Sequence, residues 1–316
     1  MPFLAKIGGL WVSLLALATV SLAAQDTLRF TSMEVVHGKP YVMVIVNGRG
    51  PFRFVVDTGT GGQAMVTPEL ADQLGLPQVG QVRLTDPTGR GGQLAPVFQI
   101  DSLQVAGVEF TGIKAVRHVL SSENGSCMGL LGFTLFRDYL LTLDYPNRRL
   151  TLASGALSKG EKGSVLPFRM PDGVPIATLR IGNLRIEAQF DSGGSGLSLP
   201  EGLAPYLKFA SGPVIFAYGE SLSTRFQVKA ATLATDVHLG EYTFTKPFVE
   251  INPAFPLANF GSCPMQNFTI TFDQKNQLVR LAASRKQFHL AATPMAIRLG
   301  NAPALTAKDT SLVPVG

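Results

Sequence analysis

The sequence predicts an all-β chain with a few short helices, built as two similar lobes with a site at the seam between them. Three observations carry this expectation. Glycine (33) and proline (21) are scattered without a period while charged residues make up only 16%, which suits many strands joined by turns. Short apolar runs alternate with polar residues at a period of two. A long-range internal repeat is anchored on two Asp-Thr/Ser-Gly triplets. With 316 residues and 46% hydrophobic content, there is material for one large core or two medium ones.

The repeat is regular in its spacing. Phe54-Val55-Val56-Asp57-Thr58-Gly59-Thr60 is matched by Ala188-Gln189-Phe190-Asp191-Ser192-Gly193-Gly194, with the aspartates 134 positions apart (191 − 57). The same offset carries Gly48 onto Gly182, and Leu103, Val105 and Phe110 onto Val237, Leu239 and Phe244. Further on, Leu130-Leu131-Gly132 and Asn259-Phe260-Gly261 are each followed by an aspartate, Asp144 and Asp273, at an offset now reduced to 129 (261 − 132). Those aspartates close apolar runs over 140–145 and 269–274, whose turns lead into second strands over 149–152 and 278–281. A single triplet of this kind also suits an ordinary turn; an ordered set of four matched stretches implies duplication.

The elements follow in order. Thr67 as N-cap, Pro68 at the first helical position and Gly75 past the end predict one short helix, with 200–207 as its counterpart. The lobes are expected over 28–153 and 164–283, joined by a polar, glycine-rich linker over 154–163, with 284–316 as a tail or peripheral strand.

At the N-terminus, Lys6 precedes an apolar stretch from Ile7 to Leu22 and the small residues Ala23 and Ala24. This predicts a signal peptide over 1–24 and a secreted or periplasmic product without stable membrane insertion. Export would allow Cys127 and Cys263 to pair, and the sequence leaves that open. No cysteine or histidine neighbours them at ligand spacing, so neither a metal nor another cofactor is expected. The net charge of +5 is dispersed, without a basic run, which speaks against nucleic-acid binding. Asn124 and Asn267 begin glycosylation-type triplets. The four histidines form no evident nucleophile and base pattern, and no Gly-x-Ser-x-Gly surrounds Ser192.

Two carboxyl groups held close together cannot both ionise cheaply, so they share a proton and divide into base and acid. Asp57 and Asp191 are the candidates. The run Val55-Val56-Asp57-Thr58-Gly59-Thr60, with Leu130-Leu131-Gly132 to support it, resembles the active-site loop of the aspartic protease superfamily, retropepsin-like and pepsin-like enzymes included. The resemblance covers most of residues 40–283 and implies a bilobal, duplicated acid-protease-like β-barrel fold with the active site between lobes. It implies Asp57 and Asp191 as the catalytic pair, supported by Thr58, Gly59, Thr60, Ser192, Gly193 and Gly194. It further implies flap hairpins that carry Gly89 and Gly91 in one half and Tyr218 and Gly219 in the other.

The second half departs from the pattern at Gly194, which lacks the hydroxyl of Thr60 and leaves Ser195 as a substitute, and at Asn259, where an apolar residue is expected. The resulting expectation is an exported, monomeric endopeptidase acting on a peptide or protein. The alternative is a peptide-binding protein that keeps the fold without catalysis.

Overall fold

The computed structural model describes residues 29–84, 92–120, 127–158, 164–220 and 225–291. The signal-peptide stretch, residues 159–163 of the linker, Asn124, Gly89, Gly91 and the chain after residue 291 lie outside them. Among the described residues the structure is built almost wholly of strands, arranged in an eight-stranded, a ten-stranded and a six-stranded sheet.

The eight-stranded sheet starts from a hairpin, Lys39–Val46 and Arg49–Asp57. Its turn, Asn47-Gly48, holds both residues at positive φ (48° and 71°), a geometry whose twist matches that of antiparallel strands. Along Arg49–Asp57 the buried positions alternate: Phe54 and Val56 are fully inside. This strand runs parallel to Cys127–Gly132, which pairs Asp57 with Gly132. Cys127–Gly132 then pairs with Ala64–Val66, which lies parallel to Val108–Arg117, followed by Gln93–Val105 and Gln78–Leu84, while Glu34–Val36 pairs with Lys39–Val46 at the other edge.

The larger sheet passes through the same succession of pairings. The hairpin Ile176–Ile181 and Leu184–Asp191 leads to Ala258–Gly261, parallel and with Asp191 opposite Gly261. Leu197–Pro200, Phe248–Asn252, Arg225–Leu233 and Phe209–Glu220 follow. One detail differs from the sequence alignment. Gly48 is the second residue of its turn, Gly182 the first of its own, because Val46 pairs with Arg49 while Ile181 pairs with Leu184. An irregularity between Val44 and Val46 absorbs the one-residue difference before the aspartates.

The six-stranded sheet takes three strands from each half: Arg29–Ser32, Arg149–Ala153 and Leu140–Asp144, then Thr269–Asp273, Leu278–Ala282 and Ser164–Pro167. Its middle pair, Leu140–Asp144 with Thr269–Asp273, joins the halves. Above it, Phe133 meets Phe272 edge to face at 5.1 Å and Phe190 meets Phe272 at 6.0 Å, so aromatic rings from both halves form one continuous core.

The expected helix is present as Pro68–Leu74, with Thr67 accepting from the Leu70 amide and Gly75 left-handed. Its counterpart, Glu201–Tyr206, is a 3₁₀ helix because Pro205 lacks the amide that a longer α-helix requires. The stretch expected to be a tail or peripheral strand begins with a strand at the edge of the ten-stranded sheet. Gln287–Phe288 is a strand paired with Tyr242–Phe244, and Phe288 is buried among Tyr242, Phe244 and Phe268, which makes it part of the core. Among the described residues no helix is long and apolar enough to cross a membrane.

Candidate active site

Both aspartates are the last residues of their strands, and the parallel neighbours end on Gly132 and Gly261. Beyond each aspartate the chain turns sharply and meets the other half. The Thr58 hydroxyl donates to the Phe190 carbonyl at 2.7 Å, and the Ser192 hydroxyl donates to the Val56 carbonyl at 2.6 Å. Each hydroxyl also accepts from the opposite backbone amide, Ser192 N to Thr58 Oγ1 and Thr58 N to Ser192 Oγ, both at 3.0 Å. Thr58 and Ser192 are fully buried. Four reciprocal bonds therefore fix one loop against the other.

This grip brings the two carboxyl groups face to face. A Cβ on Gly59 would lie 2.5 Å from the Asp191 carboxyl carbon, and one on Gly193 would lie 2.5 Å from that of Asp57. Only glycine leaves room for each carboxyl beside the opposite loop. Asp57 and Asp191 are themselves within hydrogen-bonding reach of one another. Burial, and then the charge of Asp191, push Asp57 up to about 7 from the ordinary carboxylate range, although Thr60 and the Gly59 amide pull the other way. The pair thus keeps a shared proton far above the pH at which a free aspartate would lose it.

The two carboxyls are held differently. Asp57 Oδ1 accepts from the Gly59 amide at 2.9 Å and its Oδ2 from the Thr60 hydroxyl at 3.0 Å. Asp191 Oδ1 accepts from the Gly193 and Gly194 amides at 2.9 and 2.7 Å. Its Oδ2 accepts from Asn259 Nδ2 at 2.6 Å. Ser195 was the expected substitute for the absent hydroxyl; Asn259 takes that place instead. The buried phenol of Tyr145 feels both carboxyls: burial first, and then the charges of Asp191, Cys263 and Asp57, hold it neutral, and its hydroxyl donates to the Met265 sulfur.

The first of these loops and the strands around it match a family model for aspartyl proteases over residues 42–135, which ends just past Gly132. Over that stretch the chain is similar to aspartyl proteases. No curated protein matches it. The matched aspartic protease segment contains Asp57, Thr58, Gly59 and Thr60; Asp191 and its loop lie beyond the match and come to the dyad through the geometry just described.

Of the other expected residues, Tyr218 and Gly219 sit on the strand Phe209–Glu220 of a long hairpin, where Tyr218 is 39% exposed opposite Gln227. The equivalent strand pair of the first half is Gln78–Leu84 with Gln93–Val105, and the expected Gly89 and Gly91 lie outside the described residues. Cys127 and Cys263 are both free, and Cys127 donates to the Gly129 carbonyl. Among the described residues no cluster of ligands suited to a metal ion occurs.

Sequence reasoning missed three residues that shape the site. Gln189, two residues before the second aspartate, donates across the seam to the Gly59 carbonyl at 3.0 Å. Gln274 reaches back from the second half to the Phe133 carbonyl at 2.7 Å. Tyr145 is buried and feels the charge of both carboxyls. Their common signal was position next to a repeat anchor, Gln189 beside Asp191, Gln274 beside Asp273 and Tyr145 beside Asp144.

Proposed function

We propose that this protein is an exported aspartic endopeptidase that hydrolyses peptide bonds through a water activated by the Asp57 and Asp191 dyad. The observation that carries the reading is the reciprocal bonding of Thr58 and Ser192, which holds two carboxyls from different halves together around a shared proton. In the reaction the ionised carboxyl takes a proton from the water while its oxygen attacks the peptide carbonyl carbon. The other carboxyl gives its proton to the carbonyl oxygen, forming a neutral gem-diol. Return of that proton to the dyad, cleavage of the C–N bond and protonation of the amine nitrogen complete the cycle without a covalent intermediate.

The three donors on Asp191 suit it to hold the negative charge and Asp57 to carry the proton. An extended peptide would lie across the seam beneath the hairpins that bear Tyr218 and the expected Gly89 and Gly91, adding its backbone as a strand. The lobes over 28–153 and 164–283, the 154–163 linker, secretion or a periplasmic location after removal of 1–24, and a monomeric state belong to the same proposal. Neither cofactor nor nucleic acid enters it. The Asn259 bond to Asp191 favours this reading over the non-catalytic peptide binder, since the second carboxyl has its full complement of donors.

The test is hydrolysis of a peptide library between about pH 3 and 8, by the parent, by Asp57→Asn and by Asp191→Asn, with and without a hydroxyl-bearing transition-state mimic such as pepstatin. Cleavage by the parent and its loss by at least about a thousandfold in each variant, with folding intact, is the expected result. A parent that binds peptides and cleaves none at any pH would leave only the binder.

A further inference from the structure

The second half differs from the first at two positions that touch each other. Where the first half has Thr60 and Leu130, the second has Gly194 and Asn259. Thr60 donates its hydroxyl to Asp57 Oδ2, and Leu130 is a buried apolar side chain. In the second half Gly194 has no side chain to donate, and Asn259 supplies the bond to Asp191 Oδ2 from the neighbouring strand. The space is exclusive. A Cβ on Gly194 would stand 2.5 Å from Asp191 Oδ2 and 2.7 Å from Asn259 Nδ2.

The amide comes with a burden that a leucine would not carry, because Asn259 Oδ1 is buried without a hydrogen-bond partner. A fold selected for packing alone has no use for such a group. Its strand makes the same backbone pairings as the first half's, Gly261 opposite Asp191 as Gly132 is opposite Asp57, so the strand geometry does not call for asparagine either.

We infer that Asn259 is a positioning residue, which orients the outer oxygen of Asp191 in the role that Thr60 fills for Asp57, and that Gly194 is the space this amide requires. The two departures are thus one compensated exchange, in which the donor has moved from the active-site loop to the supporting strand. The inference rests on the dyad reading above. It also assigns a difference between the carboxyls: the amide nitrogen that faces Asp191 Oδ2 is a donor only, so it favours a carboxylate there, whereas the Thr60 hydroxyl can donate to or accept from Asp57.

The exchange is tested with Asn259→Leu, Gly194→Thr and the double variant that copies the first half. Asn259→Leu should lower kcat by about tenfold or more with KM nearly unchanged, and move the acidic limb of the pH profile to higher pH. Gly194→Thr should lose activity by clash, and the double variant should recover to within several-fold of the parent. Asn259→Asp, close to the parent in shape, serves if the leucine variant fails to fold: activity should be lost near neutral pH and return as the pH falls, since the new carboxyl regains a donor once protonated. A parent-like kcat and pH profile in Asn259→Leu or Asn259→Asp would overturn the inference, as would a double variant whose loss is the product of the single losses. Should the parent cleave nothing, the proposed function fails by itself and melting curves decide the exchange. A destabilisation by Asn259→Leu that grows from about pH 3 to 7 supports it, and one independent of pH overturns it.

Discussion

Thr142 and Thr271 lie directly opposite one another on the antiparallel strands that join the two halves, with their hydroxyl oxygens 2.9 Å apart. They are also equivalent residues, 129 positions apart, the same spacing as Gly132 and Gly261. Their neighbours pair crosswise, Leu141 with Phe272 and Leu143 with Ile270. A residue that pairs with its own counterpart is what a two-fold relation between the halves would produce at the middle of the joining sheet. Thr142→Val should cost about 1 kcal/mol and Thr271→Val about the same or more, because Thr271 also accepts from Arg280. The double variant should cost less than the sum, since neither hydroxyl is then left unpaired. Denaturant melts of the three variants measure this directly.

The grip between loops carries a larger effect. Thr58→Ala removes the bond to the Phe190 carbonyl and the acceptor of the Ser192 amide, both fully buried. The expected loss of stability is about 2–4 kcal/mol, and activity should fall more steeply than stability because the carboxyls lose their relative placement. Thr58→Ser keeps the hydroxyl and should restore most of both. Thermal melts and peptide cleavage on the same samples check the pair of expectations.

Asp273 and Asp144 occupy the same place in their hairpins, each accepting from the amide and side chain of the asparagine three residues on, Asn276 and Asn147. Asp273 is only 3% exposed and also accepts from the Leu157 amide at 2.9 Å. Burial works to raise Asp273, but the Asn276 side chain and the Leu157, Asn276 and Lys275 amides overcome it and hold it below the usual range. A depressed carboxyl stabilises the fold above its unfolded value, and that contribution fades as pH falls through the folded one. Asp273→Asn should therefore destabilise at neutral pH, with a deficit that shrinks on acidification. Melting temperatures from about pH 7 down to 3 would show it.

Much of the fold was legible because its determinants are local or periodic. Thr67, Pro68 and Gly75 bounded the helix through capping chemistry alone. The alternation in 140–145 and 269–274 located strands whose true ends, Asp144 and Asp273, are one residue away. The offset of 134 found the loop that faces Asp57, since equivalent chain positions in a repeat occupy equivalent places. What it could not supply was side-chain reach. Asn259 was visible as a departure and Gly194 as a missing hydroxyl, yet only coordinates show the two side by side, because one lies on a strand and the other in the loop after the neighbouring strand, 65 positions away in the chain (259 − 194). Phe288 escaped for a similar reason: without a counterpart in the first half, nothing in the repeat places its ring in the core.

Glu250 is an acid that the proposed chemistry does not use. It lies behind the second active-site loop, lining a cavity of about 270 Å³ with Cys263 and His289, and a Cβ on Gly196 would come within 2.6 Å of its Oε1. Burial pushes it up to about 7. A raised carboxyl favours folding while protonated and opposes it as pH climbs through the folded value. Glu250→Gln should be more stable than the parent above about pH 7 and similar to it near pH 4. Peptide cleavage at acidic pH should be unchanged. A variant that melts lower than the parent at pH 8 would mean that the ionised carboxylate has a partner.

The dyad obeys the same linkage with a functional consequence. Asp57 holds its proton up to about 7, against an ordinary value of 3.8, first because it is buried and then because Asp191 lies against it. The folded protein therefore binds a proton at this site that the unfolded chain releases between those two values, and stability falls as pH rises across that window. The slope integrates to a few kcal/mol at most, on the order of 1.4 kcal/mol for each pH unit. Asp57→Asn replaces the shared proton with a permanent amide, so the slope should flatten. The inactive variant should melt above the parent at about pH 8, by several degrees, and converge with it near pH 4. Circular-dichroism melts at the two pH values suffice. If the variant instead melts lower than the parent at both, Asp57 is held as a charged structural ligand of its loop, and the shared-proton dyad on which hydrolysis depends is absent.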